Sequence, residues 1–110
     1  VLLQVTVGSL VGLFGKPAQR VAELLLRDDA ATVLASDAHS AGQRFMSVSH
    51  GLERAASLIG QERLRQLVHD NPKALLESRP LPAPAAIVAS EQEERGWRKA
   101  FQRATSRIRV

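Results

Sequence analysis

Short apolar runs that alternate with stretches of helical spacing constrain the fold of this chain more than any other feature of its sequence. The two runs are LLQVTV (2–7) and ATVLAS (31–36), each of a length typical of a buried strand. In the segment after each run, apolar residues recur at intervals of three and four residues, as on one face of a helix. These positions are Ala18, Val21, Ala22 and Leu25 after the first run, and Leu52, Ala55, Ala56 and Ile59 after the second. The order strand, helix, strand, helix predicts parallel βαβ units.

Glycine and proline mark the predicted ends of these elements. The first run stops at Gly8, and we expect a loop from there to Gly15. Pro17 suits the first turn of a helix, where its missing N–H costs nothing. Gly60 is placed to end the second helix.

A third helical stretch follows, with Leu64, Leu67 and Val68 at helical spacing. We expect Asn71 to act as a cap and Pro72 to open one more short turn. Two strands alone do not form a stable sheet covered on both faces, so further strands are expected upstream of Val1 or in another chain. Since the sequence also starts without methionine, we expect a fragment or a processed piece.

A change in composition divides the chain into three parts. Three prolines within five residues favour an extended connector over residues 79–89, which separates an α/β part (1–78) from a basic amphipathic helix (90–110). Ser90 and Glu93 have the spacing of a capping box at the start of that helix. Its predicted apolar face comprises Trp97, Ala100, Phe101, Ala104 and Ile108.

Composition excludes several classes of protein and of chemistry. Apolar residues make up 45% and charged residues 24%, as in globular proteins, and no run approaches the length of a membrane-spanning helix. The N-terminus lacks the features of a signal peptide, so a cytoplasmic location is expected. The absence of cysteine excludes disulfides, thiolate metal sites and cysteine nucleophiles from this chain.

The net charge of +4 is concentrated at the C-terminus, because residues 91–110 carry six basic and three acidic side chains. No nucleic-acid partner is expected from this distribution. Docking of Trp97 and Phe101 onto the parent domain or a partner is the main interpretation of the tail. Contact of the tail with a membrane surface is the alternative.

Asp37 and His39 form the candidate site, because they follow the second predicted strand directly. Loops at the carboxyl ends of parallel strands gather into active sites. Residues two apart on an extended backbone point to one side, so this carboxylate and imidazole could reach one cation or two adjacent cations, such as zinc, manganese or iron. The alternative is that Ser36 or Asp37 merely caps a turn.

Other polar residues have simpler interpretations. His50 and His69 are expected to be solvated or to act as caps. Lys16, Arg20 and Arg27 are expected on the solvent face of the first helix, although Lys16 and Arg20 could instead add positive potential near a phosphate. Nothing around the first glycine loop has the pattern of a serine-hydrolase elbow or a P-loop.

Several motifs in one order resemble a known family. They are QVTVGSLVGLFG (4–15), Ser-Asp-Ala-His (36–39), Arg44 a few residues later, and GQERLRQLVHDNPKALL (60–76). This order is similar to the C-terminal part of the PHP domain, the polymerase and histidinol phosphatase superfamily. The resemblance is to its bacterial protein-tyrosine phosphatase branch, associated with capsule and exopolysaccharide synthesis. The chain departs from the pattern at Phe45 and Met46, where family members often have two prolines.

The resemblance implies an α/β fold, namely the C-terminal portion of a PHP-type distorted (β/α) barrel, incomplete in this chain, with a C-terminal amphipathic helix added. It implies a metal-dependent phosphotyrosine phosphatase in which Asp37 and His39 are catalytic metal ligands and Arg44 is a catalytic residue that holds the substrate phosphate. The implied cofactor is a cluster of divalent metal ions, manganese first, with zinc or iron as alternatives.

The implied partners are a phosphotyrosine protein, such as a tyrosine autokinase of polysaccharide synthesis, and the upstream half of the barrel. Because most ligands of the family lie in that upstream half, we expect the chain alone to be inactive. Two alternatives stay open. One is another PHP phosphoesterase, similar to histidinol-phosphate phosphatase, and the other is a non-catalytic interaction module.

Overall fold

The computed structural model describes residues 1–37 and 43–106 and shows a mixed fold that is mostly helical. Its elements in chain order are β1 (Gln4–Thr6), a 3₁₀ helix (Val7–Val11), α1 (Lys16–Arg27), β2 (Val33–Ala35), α2 (Gln43–Ile59), α3 (Gln61–Arg65), a π-helical turn (Gln66–Asp70), α4 (Asn71–Leu76) and α5 (Glu91–Ser106). Among the described residues, no helix is both long enough and apolar enough to cross a membrane.

The two strands pair in parallel, which confirms the predicted order of strand, helix, strand and helix. Gln4 lies opposite Val33, and Thr6 lies opposite Ala35. Both strands are shorter than the apolar runs that predicted them. Within the described residues the sheet has two strands, so an α/β arrangement is established, while the barrel stays a prediction.

The prediction of a loop from Gly8 to Gly15 is wrong in its first half, because β1 leads directly into the 3₁₀ helix. Val7 and Leu10 are three residues apart, the period of a 3₁₀ helix, and both are buried. Gly12 ends this helix with φ of 79°, a left-handed conformation that glycine adopts without strain. Burial of this side of the segment explains why a helix replaces a loop.

The buried face of α1 is rotated relative to the prediction. Pro17 lies in the first turn, as predicted, but Ala22 and Leu26 form the buried face, with Leu25 partly buried at its margin. Val21 is 56% exposed, because its side of α1 faces an open groove beside β1. The predicted core position at Val21 is therefore wrong.

Helix α2 supplies the centre of the core. Ala55, Leu58 and Ile59 are almost completely buried, and Gly60 follows the helix with positive φ, as its predicted stop requires. The described core cluster comprises Val5, Val7, Leu10, Ala22, Leu26, Ala31, Leu34, Ala55, Leu58, Ile59, Leu64 and Leu67.

Asn71 does not cap a helix, contrary to prediction, because the chain stays helical from α3 through α4. The backbone before it, at Asp70, is already helical, and Asn71 is 3% exposed. Its Nδ2 donates to the carbonyl oxygen of Thr32 at 2.8 Å, which fastens this helical segment to the start of β2. The π-helical turn ends at Asp70, two residues before Pro72, whose missing N–H makes a regular hydrogen bond impossible there.

Residues 79–89 form no helix or strand, as predicted, but they are fastened to the body. The Gln66 side chain donates to the carbonyl oxygen of Ala83 at 2.9 Å and accepts from the N–H of Ala85 at 2.8 Å. The Val88 N–H donates to the carbonyl oxygen of Ile59 at 3.0 Å. Since Ile87 also packs against the core, the connector lies along the body.

Only half of the predicted capping box forms at the start of α5. The Ser90 Oγ accepts from the N–H of Glu93 at 3.2 Å, while the Ser90 N–H donates to the carbonyl oxygen of Ser57. The Glu93 carboxylate pairs instead with Arg27 and Arg54. Arg27, predicted on the solvent face, has a side chain only 18% exposed. Because the Glu93 carboxylate pairs with these two arginines of other helices, it does not complete the capping box with Ser90.

Candidate functional site

The carboxyl ends of β1 and β2 meet at one edge of the sheet because the strands are parallel. β1 ends at Thr6 and continues into the 3₁₀ helix, and β2 ends at Ala35 and is followed by Ser36 and Asp37. This is the edge at which parallel sheets assemble chemistry. The predicted position of Asp37 at this edge is confirmed.

Asp37 is exposed and has φ of 49°, in the left-handed region. A non-glycine residue seldom adopts this conformation, although aspartate tolerates it better than most. The extended backbone on which the predicted same-side arrangement of Asp37 and His39 depends therefore does not continue through Asp37, and that argument is wrong. His39 lies outside the described residues, so its ligand role stays a prediction.

Arg44 is the second residue of α2, the helix that follows the Asp37 loop. Its backbone therefore belongs to the first turn of a 17-residue helix, where the N–H groups and the helix dipole favour anions. The direction of its side chain is not described, so the predicted contact with a phosphate stays a prediction.

The turn at the end of β1 is rigidly supported. Gly51 of α2 packs so closely that a Cβ there would lie 2.9 Å from the carbonyl oxygen of Val7. From the other side, the Gln19 side chain of α1 donates to the carbonyl oxygen of Leu10 at 3.1 Å. The 3₁₀ helix, which follows β1 at this edge, thus contacts both α1 and α2.

An open groove lies beside β1, on the side away from β2. The apolar side chain of Val21, which α1 presents there, is largely exposed. The groove is lined by Gln4, Val5, Thr6, Ser9, Pro17, Ala18, Val21, Ala22 and Leu25. Among the described residues β1 pairs with β2 alone, so its other edge carries backbone groups free to pair with a further strand.

The remaining predicted polar residues, namely Lys16, Arg20, His50 and His69, are exposed, in agreement with a solvent-facing role. The Nδ1 of His69 lies 2.9 Å from the Asp70 carboxylate. The part of the chain that the structure describes contains no group of three or more histidine, aspartate or glutamate side chains arranged to hold a metal ion.

A cluster of ion pairs that the sequence did not predict lies between α1, α2 and α5. Arg54 donates to Glu23 at 3.0 Å, and Arg27 donates to Glu93 at 3.2 Å. The Arg27 guanidinium also lies 4.2 Å from the centre of the Trp97 ring, a cation–π contact. Of these ion pairs, only Glu23–Arg27 was predictable from the sequence, because its residues are four apart on one helix.

Burial is the main reason that the pKa of Arg27 is lowered from its ordinary value. Glu23 acts in the opposite direction and raises the pKa, while the neighbouring Arg54 lowers it further. Arginine stays protonated in proteins, so these groups form a permanently charged joint between α1, α2 and α5.

The family model described as "Capsular polysaccharide synthesis, CpsB/CapC" matches residues 1–77. The matched span runs from β1 through α4 and includes the candidate residues Asp37, His39 and Arg44, whereas the connector and α5 lie beyond it. Comparison with curated proteins and with solved structures gave no match. The matched span covers most of the 110 residues and agrees with the resemblance seen in the motifs. The chain belongs to the CpsB/CapC family of capsular polysaccharide synthesis.

Proposed function

We propose that this chain provides part of a metal-dependent phosphomonoesterase that acts on phosphotyrosine proteins during capsular polysaccharide synthesis, in the cytoplasm. The observation that carries the proposal is the family match over residues 1–77, within which Asp37 ends β2 at the carboxyl edge of the sheet. A tyrosine autokinase of polysaccharide synthesis is the proposed class of substrate protein.

Asp37 and His39 are the proposed metal ligands. Carboxylate oxygen and imidazole nitrogen together suit manganese, zinc or iron, and the Asp37 side chain is exposed at the edge where such an ion would bind. When bound, a divalent cation supplies the Lewis acidity that activates water at neutral pH and neutralises phosphoryl oxygens. The left-handed backbone at Asp37 ends the extended conformation of β2 at this edge.

Arg44 is the proposed phosphate-binding residue. A guanidinium gives two parallel charge-assisted hydrogen bonds to a phosphate, which fixes its orientation as well as its charge. The first turn of α2 adds backbone N–H groups of favourable polarity.

Two protein ligands are fewer than the three usual for a catalytic zinc site, so we propose that further ligands come from other polypeptide. The open groove beside β1 is the place where an additional parallel strand would extend the sheet. A strand added there would bring its carboxyl end to the same edge as Asp37. The upstream half of a PHP-type barrel is the proposed source.

Hydrolysis of a phosphotyrosine peptide by the complete gene product that contains residues 1–110, with manganese added, tests the proposal. His39→Ala should lower kcat by at least about 100-fold, since removing a ligand exceeds the usual loss from removing a ligand's supporting partner. His69→Ala is the matched control, because His69 is an exposed histidine two residues from Asn71, which bonds to Thr32 before β2 begins, and it should keep full activity.

The same assay tests Arg44. Both Arg44→Ala and Arg44→Lys should raise KM by about ten- to a hundredfold, because neither replacement restores the paired hydrogen bonds to phosphate. Full activity of His39→Ala would refute the ligand assignment. Cleavage of histidinol phosphate but not of the phosphotyrosine peptide would favour the other PHP phosphoesterase, and inactivity towards both would favour an interaction module.

A further inference from the structure

Helix α5 contacts the body near its start. Glu93 pairs with Arg27 and Arg54, and the Trp97 ring lies under the Arg27 guanidinium. Beyond Trp97, the described side chains at positions 98–100, 102 and 103 are all exposed. These described side chains are therefore accessible to a large external surface.

The exposed half of α5 has a strongly one-sided charge. Residues 95–110 contain six arginines and lysines and no acidic residue. The acidic residues of α5 are Glu91, Glu93 and Glu94, and all three lie in its first turn. Towards its C-terminus the helix is therefore purely cationic, and it lies outside the span matched by the family model.

Helical spacing in the sequence separates these charges from an apolar stripe. Trp97, Phe101, Ala104 and Ile108 recur at intervals of three and four residues, so they share one side of a helical wheel. The basic residues occupy the rest of the wheel, namely Arg95, Arg98, Lys99, Arg103, Arg107 and Arg109. A tryptophan-containing apolar stripe within a broad cationic arc is the pattern of helices that lie in the headgroup region of a membrane.

We propose that α5, from Trp97 onward, binds an anionic phospholipid surface, a role independent of the phosphatase proposal. The charge complementarity is with a surface rather than with a single acidic group, because the cations spread over about half of the wheel. A helix of this length is marginally stable alone in water, and a lipid interface would provide a partner for its apolar stripe. The joint at Glu93 connects the bound helix to the body.

The test measures co-sedimentation of the 110-residue chain with vesicles of phosphatidylglycerol and phosphatidylcholine, against vesicles of phosphatidylcholine alone. Binding should occur with the anionic vesicles only. Trp97 is the sole tryptophan and the chain has no tyrosine, so its emission reports on α5 alone and should shift to shorter wavelength on binding.

Arg98→Glu with Lys99→Glu should weaken binding to the anionic vesicles by about tenfold or more, since several charge contacts reverse. Arg65→Glu with Arg79→Glu is the matched control: it reverses the same number of exposed charges on another surface of the body and should bind like the unmodified chain. Equal binding to neutral vesicles, an equal loss in the control, or no binding to anionic vesicles would each overturn the proposal. The last result would favour an acidic protein as the partner.

Discussion

Glu93 contacts arginines from two other helices, and 18% of its side chain is exposed. The carboxylate lies between Arg27 and Arg54, so its removal would leave two partly buried cations close together. An ion pair with this degree of burial is screened less than one on an open surface, and breaking it leaves uncompensated charge. This residue therefore links the joint of α5 to the stability of the body.

Glu93→Gln should lower the free energy of unfolding by about 1–2 kcal/mol, because it removes the charge and keeps the shape of the side chain. Urea denaturation followed by circular dichroism measures the change. The matched control is Glu91→Gln, since Glu91 is an exposed acidic residue of the same first turn. It should change stability by less than about 0.5 kcal/mol. Equal effects of the two variants would show that the Glu93 pairs contribute nothing.

The sequence predicted the position of Asp37 in the candidate site but not its backbone conformation. The end of an apolar run placed it at the edge of the sheet, and the structure agrees. The left-handed backbone at Asp37 was not predictable, because it depends on where the chain must turn, and alternation along a strand stops there. The partners of Arg27 were missed because Arg54 and Glu93 are distant in sequence and meet only through packing.

Helix α2 packs against the 3₁₀ helix so closely at Gly51 that there is no space for a larger side chain. At Gly51 the α2 backbone approaches the Val7 side chain and carbonyl group directly. A methyl group there would push against backbone, which cannot move aside as a flexible side chain can. The position therefore tests whether the turn after β1 is held as the structure describes.

Gly51→Ala should lower the free energy of unfolding by about 1–3 kcal/mol, the usual cost of overpacking a core contact. Gly96→Ala is the matched control, because Gly96 is also helical and a Cβ there meets nothing within 4 Å. It should raise the stability of α5 by about 0.5–1 kcal/mol, the difference in helix propensity. Thermal denaturation of both variants measures the difference, and a stabilising effect of alanine at both positions would contradict the described contact.

The regular elements were predictable because their apolar residues recur with a clear period, whereas the short ones were not. α1 and α2 repeat their apolar positions over several turns, so their existence follows from the sequence. The 3₁₀ helix is a single short stretch whose form is decided by burial of Val7 and Leu10 against its neighbours. The rotated face of α1 has the same cause, since the core lies on the side of Leu26.

At the scale of the whole molecule, the two proposed functions lie in different parts of the chain. Asp37 and the first turn of α2 follow the carboxyl end of β2, whereas the ion pairs of Glu93 join α5 to α1 and α2. The family match ends at residue 77, so the connector and α5 lie outside the matched span. In the proposed arrangement, the phosphatase chemistry lies within the matched span and the membrane contact lies beyond it.

Manganese binding by the complete gene product that contains residues 1–110 tests the central claim, that this edge of the sheet holds a divalent metal ion. Equilibrium dialysis with detection of free manganese by electron paramagnetic resonance measures the affinity. Asp37→Asn removes the charge but keeps a residue that tolerates φ of 49°, so an effect reports on ligation rather than on backbone strain.

Asp37→Asn should weaken manganese binding by at least about tenfold, the lower end of the loss found for residues that support metal ligands. Asp28→Asn is the control, since Asp28 is an exposed aspartate beyond the end of α1, and its affinity should match that of the unmodified protein. Unchanged affinity in Asp37→Asn, or an unmodified protein that binds no manganese, zinc or iron, would contradict the account.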